Sequence, residues 1–332
     1  MAGHGTSTSI DMSQEWQSDS ETLTLCEYNL ENLFISMEYY AGQDLRTVSE
    51  NEWRSFALAQ FQRKQKPLSK LFGIAEAIEE VGADILMLTE VGGKDSLEFL
   101  NRYFLQGRYE VYFVEGNSTR GIDLGFMVRK GLPFEVEARS NRDTPVEVHT
   151  YRGKYTTRFS RDVAELRLSR NKVLKFILLL VHLKSMISTE QDYKGKDVRT
   201  AEAMALAELY QKLRGEHPAV PIVVGGDFNT ELSSLELELL QRTDLTDFHD
   251  CLKTPYEERV SLVHFEVDGT PRPHVLDYLL ISPHLCDRIL KDKSYTYRYK
   301  TFYNVPEPLP DQPQTRYRNP TDHYPLFLTL QV

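Results

Sequence analysis

The sequence is poor in cysteine. Only three of its 332 residues are of this type, namely Cys26, Cys251 and Cys286. Three cysteines so far apart do not make a disulfide framework, and none of them has the paired spacing of a zinc site. We therefore expect reduced thiols in a cytosolic protein.

Long apolar segments are also lacking. The longest is FILLLV at 176–181, far shorter than the roughly 20 residues that cross a bilayer, so we expect a buried strand there and no membrane association. Residues 1–22 are polar and acidic, without the basic start and apolar run of a signal peptide. We interpret them as a disordered polar tail and expect a cytoplasmic location.

Basic residues do not outnumber acidic ones. Lys and Arg total 39 against 49 Asp and Glu, a net charge of −10. Nonspecific coating of nucleic acid requires a basic surface, so this balance excludes that function but leaves open an enzyme with a local phosphate site. Hydrophobic residues, by contrast, make up 41% of the chain, enough for a packed core. No repeat or low-complexity linker divides the chain, so we expect one domain over residues 23–332. No protein partner is evident, and we expect a monomer.

Apolar segments of strand length alternate with helical patterns. One helix is expected between Pro67, which starts it, and Gly82, which ends it. Further helices are expected near residues 95–104 and 198–214. Strands are expected at residues 23–30, 83–90, 109–114, 122–129, 159–168, 173–181, 220–225, 275–281 and 325–331. Hairpins mixed with strand–helix units predict an α/β fold in which two mixed β-sheets pack face to face with helices outside.

Polar side chains stand at the ends of these strands. They are acids, amides and histidines, at Asn29, Glu31, Glu90, His182, Asp227, Asn229, Asp277, Asp322 and His323. Loops beyond strand ends are where α/β folds bind ligands. Any one of these residues alone is more often a turn residue or a helix cap, but their joint occurrence predicts a site.

The set has the chemistry that phosphate ester hydrolysis needs. Asn29 and Glu90 with one further carboxylate offer the oxygen ligands that Mg²⁺ or Mn²⁺ prefers. Such a cation neutralises the nonbridging oxygens of a phosphate. Asp227 and Asn229 can hold a water between an acceptor and a donor, and Gly226 beside them allows close backbone approach. No Ser, Cys or Lys has a comparable context, so we expect direct attack by water.

Two histidines complete this chemistry. His182 and His323 can donate hydrogen bonds to the charge that develops on the phosphoryl oxygens, each oriented by a carboxylate. Asp277 is the candidate that orients His323. The sequence therefore predicts a paired histidine and aspartate within the site.

Seven blocks of the sequence are informative as a set. They are YNLENLF at 28–34, ADILMLTEV at 83–91, RGIDLGFMV at 120–128, VHLKS at 181–185, GGDFNT at 225–230, LDYLLIS at 276–282 and TDHYPL at 321–326. In this order they resemble the blocks of the endonuclease/exonuclease/phosphatase superfamily, the DNase-like metallophosphoesterases. The NLENLF and HLKS segments additionally resemble its bacterial nuclease-like branch. The resemblance implies a four-layer α/β sandwich and a hydrolase of phosphodiesters or phosphomonoesters that uses a divalent metal.

The resemblance also assigns roles at the metal and the attacking water. Asn29 and Glu90 match the metal-site positions, and Asp322 is a candidate further ligand. Asp227 and Asn229 match the residues that orient or activate water and contact phosphate. The cation implied is Mg²⁺ or Mn²⁺.

Further roles concern the phosphate. His182 matches the phosphate-binding histidine, and His323 with Asp277 matches the histidine–aspartate pair near the end of the chain. Asp123, in the RGID segment, is a candidate to orient His182. Arg120, in the same segment, is a candidate phosphate contact.

The substrate is less well determined, because the same fold hosts nucleases, inositol phosphate phosphatases and sphingomyelinases. The segment HTYRGKYTTRFSR at 149–161 interleaves basic and aromatic residues without an acid. Such a segment can grip a phosphate backbone and stack bases, although an ordinary exposed hairpin is the alternative. Arg316 and Arg318 form a second basic group. We expect a nuclease acting on nucleic acid, with a phosphatase of inositol phosphates or other small phosphate esters, or a noncatalytic binding module, as alternatives.

Two features stay open at this point. Glu31 is either an outer residue of the metal site or an exposed loop acid. The insertion over residues 35–66 is long enough to cover a cleft, but the sequence does not decide whether it is a lid.

Overall fold

The computed structural model describes residues 22–37, 42, 44–58, 64–190, 192–301 and 303–332. The tail expected over residues 1–22 therefore lies outside the described residues, apart from Thr22, which begins the first strand. The same holds for parts of the 35–66 insertion.

The elements of the described residues are strands, mostly short, and eight α-helices. The strands are β1 (Thr22–Leu33), β2 (Ile85–Val91), β3 (Tyr109–Val114), β4 (Asp123–Arg129), β5 (Glu135–Ser140), β6 (Pro145–Thr150), β7 (Gly153–Arg158), β8 (Val163–Arg170), β9 (Val173–His182), β10 (Ile222–Asp227), β11 (Thr246–Asp247), β12 (Leu262–Phe265), β13 (Pro271–His274), β14 (Asp277–Ile281), β15 (Tyr295–Thr296) and β16 (Leu326–Gln331). The helices are α1 (Glu50–Phe56), α2 (Leu68–Val81), α3 (Lys94–Phe99), α4 (Lys196–Glu216), α5 (Glu238–Gln241), α6 (Phe248–Leu252), α7 (Tyr256–Arg259) and α8 (Pro313–Arg318).

Two six-stranded sheets dominate the fold. The first has the strand order β15-β16-β1-β2-β4-β3 and the second the order β11-β14-β10-β9-β8-β5. Both are mixed: β1 runs parallel to β2 but antiparallel to β16, and β10 runs parallel to β9 but antiparallel to β14. The predicted fold of two mixed sheets with helices around them is confirmed.

Three apolar layers hold the sheets and helices together. The layer between the sheets contains fully buried side chains from both of them, such as Met87 and Leu178. A second layer lies under α2, and a third, which includes Leu206 and Tyr210, lies under α4. Burial of this apolar surface is the main force that presses the two sheets together, so the edges of the sheets are brought to one place.

Helix α2 follows the expected bounds closely. Pro67 precedes its first residue, and the carboxylate of Glu50 accepts hydrogen bonds from the N–H groups of Leu68 and Ser69 at 3.1 and 2.9 Å. These N–H groups have no partner within the helix, so Glu50 caps it. Gly82 ends the helix in the left-handed region at φ 68°, where glycine has no steric cost.

The described part of the 35–66 insertion packs on the core. Helix α1 begins with a capping box, in which Ser49 and Glu52 exchange hydrogen bonds. Trp53 of this helix is fully buried, and its indole N–H donates to the carbonyl of Lys66 at 3.0 Å. This part of the insertion is therefore a buttress for the segment before α2.

The cysteines differ from expectation. Cys251 and Cys286 form a disulfide, while Cys26 is free and buried. Both partners pack at the margin of the layer between the sheets, Cys251 from α6 and Cys286 from the 3₁₀ turn Pro283–Arg288. The expectation that all three thiols are reduced was wrong: the two cysteines are 35 residues apart in sequence, and this separation gives no sign that the segments carrying them meet in the fold.

Other expectations concerned hairpins and membrane spans. The expected strand at 159–168 begins only at Val163, and the preceding basic segment forms a separate hairpin, β6–β7. Strands β8 and β9 pair as expected, through a turn in which Asn171 and Lys172 have φ 52° and 61°. No helix of the described residues is long and apolar enough to cross a membrane.

Candidate active site

The predicted site residues meet at one edge of both sheets. β9 and β10 end at this edge and β14 begins there, with Asp227 paired in register with His182 on one side and Asp277 on the other. Residues in register on neighbouring strands share a face of the sheet. From the other sheet, Asn29 is the last residue of β1 in regular register with β2 before the pairing shifts.

One hydrogen bond joins the two sheets at the centre of the site. Asn29 Nδ2 donates to Asp227 Oδ2 at 3.1 Å, and both side chains are buried. The amide is fixed from its other end, because Asn29 Oδ1 accepts from the N–H of Glu31 at 2.9 Å. A predicted metal-site residue and the predicted water-orienting carboxylate are thus in direct contact.

Glu90 lies on the same side and is held by the backbone. Its Oε2 accepts from the N–H of Asn32 at 2.9 Å. Glu90, Asn32 and Glu31 all have positive φ, at 57°, 56° and 45°, a conformation that costs energy for residues with a side chain. Two of these three strained residues, Glu31 and Asn32, form a turn within β1, where its register with β2 shifts between Asn29 and Leu33. This turn is therefore held in shape by contacts from outside the strand.

That support is Lys66. Its buried Nζ donates to the carbonyls of Leu30 and Glu31 at 2.9 and 2.8 Å, and to Glu31 Oε2 at 3.1 Å. Lys70 Nζ also contacts Glu31 Oε2, at 2.9 Å. Glu31 is therefore neither an exposed loop acid nor directed to Glu90: it pairs with two lysines that hold the turn.

His323 and Asp277 form the expected pair. His323 Nδ1 lies 2.7 Å from Asp277 Oδ2, and its Nε2 lies 3.9 Å from Asp322 Oδ1. Burial alone would lower the pKa of His323, but the charges of Asp277 and then Asp322 outweigh it and raise this pKa well above its usual value. The imidazole is consequently cationic, with Nε2 available as a donor.

His182 is in the opposite state. It is buried, with Nε2 at 3.6 Å from Asp227 Oδ2 and 3.9 Å from Glu90 Oε1, too far for direct hydrogen bonds. Burial and then the charge of Arg161 lower its pKa well below the usual value. The imidazole is therefore neutral.

The suggested pairing of Asp123 with His182 was wrong. Asp123 Oδ1 accepts instead from the N–H of Gly116 at 3.1 Å, and His182 Nδ1 has no hydrogen-bond partner among the described residues. The two residues lie on strands of different sheets, β4 and β9. Contacts between sheets depend on packing distance, which the RGID motif does not encode.

Asp227 and Asn229 are set by a tight backbone arrangement. Asp227 Oδ1 accepts from the N–H of Asn229 at 2.8 Å, and Asn229 Nδ2 donates to the carbonyl of Leu183 at 3.1 Å. Burial, and then the charge of Asp277, raise the pKa of Asp227 to about 7. A Cβ at Gly226 would lie 1.9 Å from the oxygen of Val181, so only glycine fits before Asp227.

The donors at this edge suit a hard cation. Among the described residues one group of three His, Cys, Asp or Glu residues has ligand atoms within 4.8 Å of one another, namely Asp227, Asp277 and His323. The predicted ligands Glu90 and Asp322 are near enough to interact through their charges. Burial raises the pKa of Glu90, the charge of His323 lowers it, and the charge of Asp322 raises it further. Asp277 Oδ1 is buried without a hydrogen-bond partner in the described part of the chain. Crowded carboxylates with unpaired oxygens fit Mg²⁺ or Mn²⁺.

Three residues near the site were missed as site residues. Glu27 is fully buried, and neither carboxylate oxygen has a partner among the described residues. Burial, and then the charge of Asp277, raise its pKa well above the usual value. The alternation of side chains along a strand is a signal that could have identified Glu27, because Glu27 and Asn29 are two residues apart and therefore lie on the same face.

Arg161 and Glu202 were missed for a different reason. The Arg161 guanidinium is buried and donates to the carbonyl of Leu183 at 3.2 Å. The Glu202 carboxylate accepts from the N–H groups of Ser160 and Lys184 at 2.6 and 2.7 Å. Arg161 was included only in the basic segment, and Glu202 had the appearance of an ordinary helical acid.

The basic features occupy different places. Arg120 Nη2 donates to Asn32 Oδ1 at 2.9 Å, beside the turn that holds Glu90. In the β6–β7 hairpin, Lys154 pairs with Glu147 and Arg158 with Asp143, so acids just before the segment offset part of its charge. This arrangement favours the ordinary exposed hairpin over a nucleic-acid grip.

Comparison with known proteins places this geometry in a family. Residues 63–320 match the sequence profile of the Endonuclease/Exonuclease/phosphatase family. No curated protein matches the chain in a sequence search.

Solved structures show the same fold. Truncated TDP2 from Caenorhabditis elegans aligns with a TM-score of 0.58 at 17% identity, over 93% of this chain and 97% of that one. The catalytic domain of human Nocturnin, with a bound sulfate anion, gives 0.57 at 15% identity, over 93% and 94% of the two chains. TDP2 from D. rerio, complexed with a single strand DNA product, gives 0.55 at 12% identity, over 93% and 99%.

Proposed function

Because this chain belongs to the Endonuclease/Exonuclease/phosphatase family, we propose that it is a divalent-metal-dependent phosphoesterase that hydrolyses phosphodiester bonds of nucleic acid. The observation that carries the proposal is the contact of Asn29 with Asp227 beside the pair of His323 and Asp277. These contacts bring together, at one edge of the two sheets, an amide suited to bind a metal, a buried carboxylate and a cationic imidazole. This combination suits hydrolysis of a phosphate ester.

The metal ligands in this proposal are Asn29, Glu90 and Asp322. When bound, Mg²⁺ or Mn²⁺ neutralises charge on the phosphoryl oxygens. Asp277 is assigned to orienting His323, whose Nδ1 lies 2.7 Å from Asp277 Oδ2. The turn within β1 holds Glu90 through the N–H of Asn32, which leaves Oε1 directed to the site.

Asp227 and Asn229 act on the attacking water. Asp227 has Oδ1 bound to a backbone N–H and Oδ2 bound to Asn29, so its orientation is fixed before substrate binds. A pKa raised to about 7 suits this carboxylate to accept the proton of the water near neutral pH. The amide of Asn229 is oriented by the Leu183 carbonyl and positions the water.

The two histidines then divide the work at the phosphate. Cationic His323 donates from Nε2 to an oxygen on which negative charge develops, and Asp277 holds its ring. Neutral His182 donates one hydrogen bond without adding charge. Arg120 at the rim attracts the phosphate, and Asp123 supports the loop beside it through Gly116.

Nucleic acid is the proposed substrate for two reasons. TDP2 from D. rerio, which has the same fold, was solved with a single strand DNA product. In this chain the site rim carries basic side chains although the net charge is −10. A local basic rim attracts a polyanion without making the whole protein a nonspecific binder.

The test is nicking of supercoiled plasmid by the purified protein with Mg²⁺ or Mn²⁺. Controls with EDTA and with His323→Ala, whose folding is verified by circular dichroism, are expected to abolish nicking. Plasmid left intact by folded wild-type protein, with cleavage of inositol phosphates in the same buffer, would contradict the nuclease assignment. Failure on both substrates would leave the noncatalytic binding module.

A further inference from the structure

We infer that a basic pocket beside the candidate active site binds a second phosphate group of the substrate, and this inference rests on the proposed function. The basic pocket is the cavity of about 620 Å³ whose charged lining consists of Glu31, Lys64, Lys66, Lys70 and Arg120. It lies between the end of β1 and the segment that leads into α2.

The basic pocket adjoins the predicted metal site through one residue. Asn32 lines it, and the N–H of Asn32 is the group that holds Glu90 Oε2. Arg120, which also lines the pocket, donates a hydrogen bond to Asn32 Oδ1. The pKa of the buried His182 is lowered most by burial, then by the charges of Arg161 and His323, and also by the charge of Arg120. A substrate with its scissile phosphate at Glu90 and His182 therefore extends naturally into the basic pocket.

Its charge points to an anion. Four cationic side chains and one acid line it, a net charge of +3, in a chain whose net charge is −10. Glu31 Oε2 is shared by Lys66 and Lys70, and Lys66 already donates to three oxygens. These two lysines shape the wall of the pocket.

Lys64 and Arg120 are the cations left for a ligand. Lys64 is exposed and lies 5.4 Å from the centre of the Phe34 ring, and it makes no ion pair with an acid among the described residues. The hydrogen bond of Arg120 in the described residues goes to a neutral amide. Cations without acidic partners, next to a site that handles phosphoryl groups, match a phosphate.

The rest of the lining favours a nucleotide over a bare polyphosphate. Half-buried Pro67 provides apolar surface beside the cations, backed by the buried Phe34, and such a surface packs against a sugar while its phosphate is bound. The substrate class is therefore an oligonucleotide with at least one phosphate next to the scissile one.

A binding experiment tests the pocket without turnover. Fluorescein-labelled hexathymidylate is titrated with the protein in EDTA at several salt concentrations, and anisotropy gives Kd. Lys64→Gln is expected to raise Kd several-fold and to reduce the slope of log Kd against log salt by about one. Lys212→Gln, which removes a lysine that is 69% exposed on α4, is the matched control. Equal Kd and slope for the two variants would overturn the inference.

Competition identifies the source of the phosphate. Unlabelled hexathymidylate is expected to displace the probe at lower concentration than inorganic tripolyphosphate does. The reverse order would overturn the assignment to an oligonucleotide.

A turnover experiment separates the basic pocket from the proposed function. The substrates are d(TpT), d(pTpT) and d(TpTp), which differ by one terminal phosphate. We expect kcat/KM of one phosphorylated form to exceed that of d(TpT) about tenfold, which one good charged contact supplies, and Lys64→Gln to reduce this ratio. A ratio unchanged in Lys64→Gln would overturn the inference, whereas no cleavage of any form would contradict the proposed function and leave the binding experiment to decide on the pocket.

Discussion

Two buried histidines of the site differ in charge because their neighbours differ. His323 is influenced by the charges of Asp277 and Asp322, whereas His182 is influenced by that of Arg161 and has no hydrogen-bonded carboxylate among the described residues. One imidazole therefore supplies positive charge to a developing oxyanion and the other a neutral donor. The same residue type takes two roles, and the surroundings select which.

A third buried histidine, His249, lies outside the site and provides a pH test. Burial, and then the charge of Arg259, lower its pKa to about 3. In the unfolded chain a histidine has a pKa near 6.5. Below about pH 6.5 the histidine is therefore protonated in the unfolded state but not in the folded state, and the free energy of unfolding falls as the pH decreases towards 3.

The predicted effect is measurable as a difference. Between pH 7.5 and pH 5 the free energy of unfolding should fall by about 2 kcal/mol more in wild-type protein than in His249→Gln, as followed by urea denaturation. The comparison cancels other groups, including Asp247, whose pKa is raised to about 7 and which acts in the opposite direction. Parallel pH profiles of the two proteins would show that His249 is not the titrating group.

Site residues were predictable where a polar side chain interrupts the end of an apolar strand. Asp277 and His323 were expected as a pair and lie 2.7 Å apart. Glu27 was not expected, although its position two residues before Asn29 puts both side chains on the same face of β1. Nothing in the sequence marks Lys66 as a site residue either, because its importance comes from three acceptors in the turn within β1.

At the scale of elements, the turn within β1 links packing to chemistry. Lys66 Nζ ties down Glu31, the N–H of the next residue, Asn32, binds Glu90, and Glu90 is a proposed metal ligand. We predict that Lys66→Met lowers the free energy of unfolding by about 3 kcal/mol, because it breaks a buried ion pair. It should also raise the Mg²⁺ concentration for half-maximal activity at least about tenfold, as loss of outer-shell support does.

The control is Lys70→Met, which removes a more exposed partner of the same Glu31 carboxylate. It should cost less than about 1 kcal/mol and leave the half-maximal Mg²⁺ concentration much closer to the wild-type value. Rate measurements over a Mg²⁺ titration decide the matter. If both variants shift equally, the turn is not the support of the metal site.

The disulfide is a second link between elements. We predict that reduction of the bond between Cys251 and Cys286 lowers the free energy of unfolding by about 2–4 kcal/mol, the usual range for a closed loop of this order. Urea denaturation with and without dithiothreitol measures this. The double variant Cys251→Ser/Cys286→Ser, as control, should not respond to the reductant.

Thiol counting gives an independent check of the same bond. Denatured protein that has met no reductant should show one reactive thiol, from Cys26. Three reactive thiols would contradict the bond. The cytoplasmic location stays a prediction, and the bond weighs against it because disulfides persist mainly in oxidising compartments.

The sequence predicted which segments form helices and strands better than it predicted which of these segments contact one another. Helix α2 and strands β2 and β10 were visible from apolar runs and from Pro67 and Gly82. Contacts between segments far apart in sequence, such as those that carry Cys251 and Cys286, depend on how the sheets pack. Local patterns do not contain it.

At the scale of the whole molecule, the site exists only when both sheets are packed together. Asn29 comes from the first sheet and Asp227 from the second, and their hydrogen bond crosses the layer between them. The apolar layer under this contact, with Met87 and Leu178 fully buried, therefore serves the chemistry as well as the stability. This arrangement could be expected from the family's block order but not from any single segment.

The central claim is that the residues gathered at this edge perform metal-dependent hydrolysis of phosphodiesters. The most direct measurement is kcat for cleavage of a labelled oligonucleotide by wild-type protein and by Asp227→Asn, each with saturating Mg²⁺ and each verified to be folded by its thermal transition. Wild-type protein should cleave only with metal, and kcat of the variant should fall by about 10²–10⁴, the usual contribution of a general base. Cleavage by Asp227→Asn within about tenfold of wild type, or wild-type activity that survives EDTA, would contradict the account.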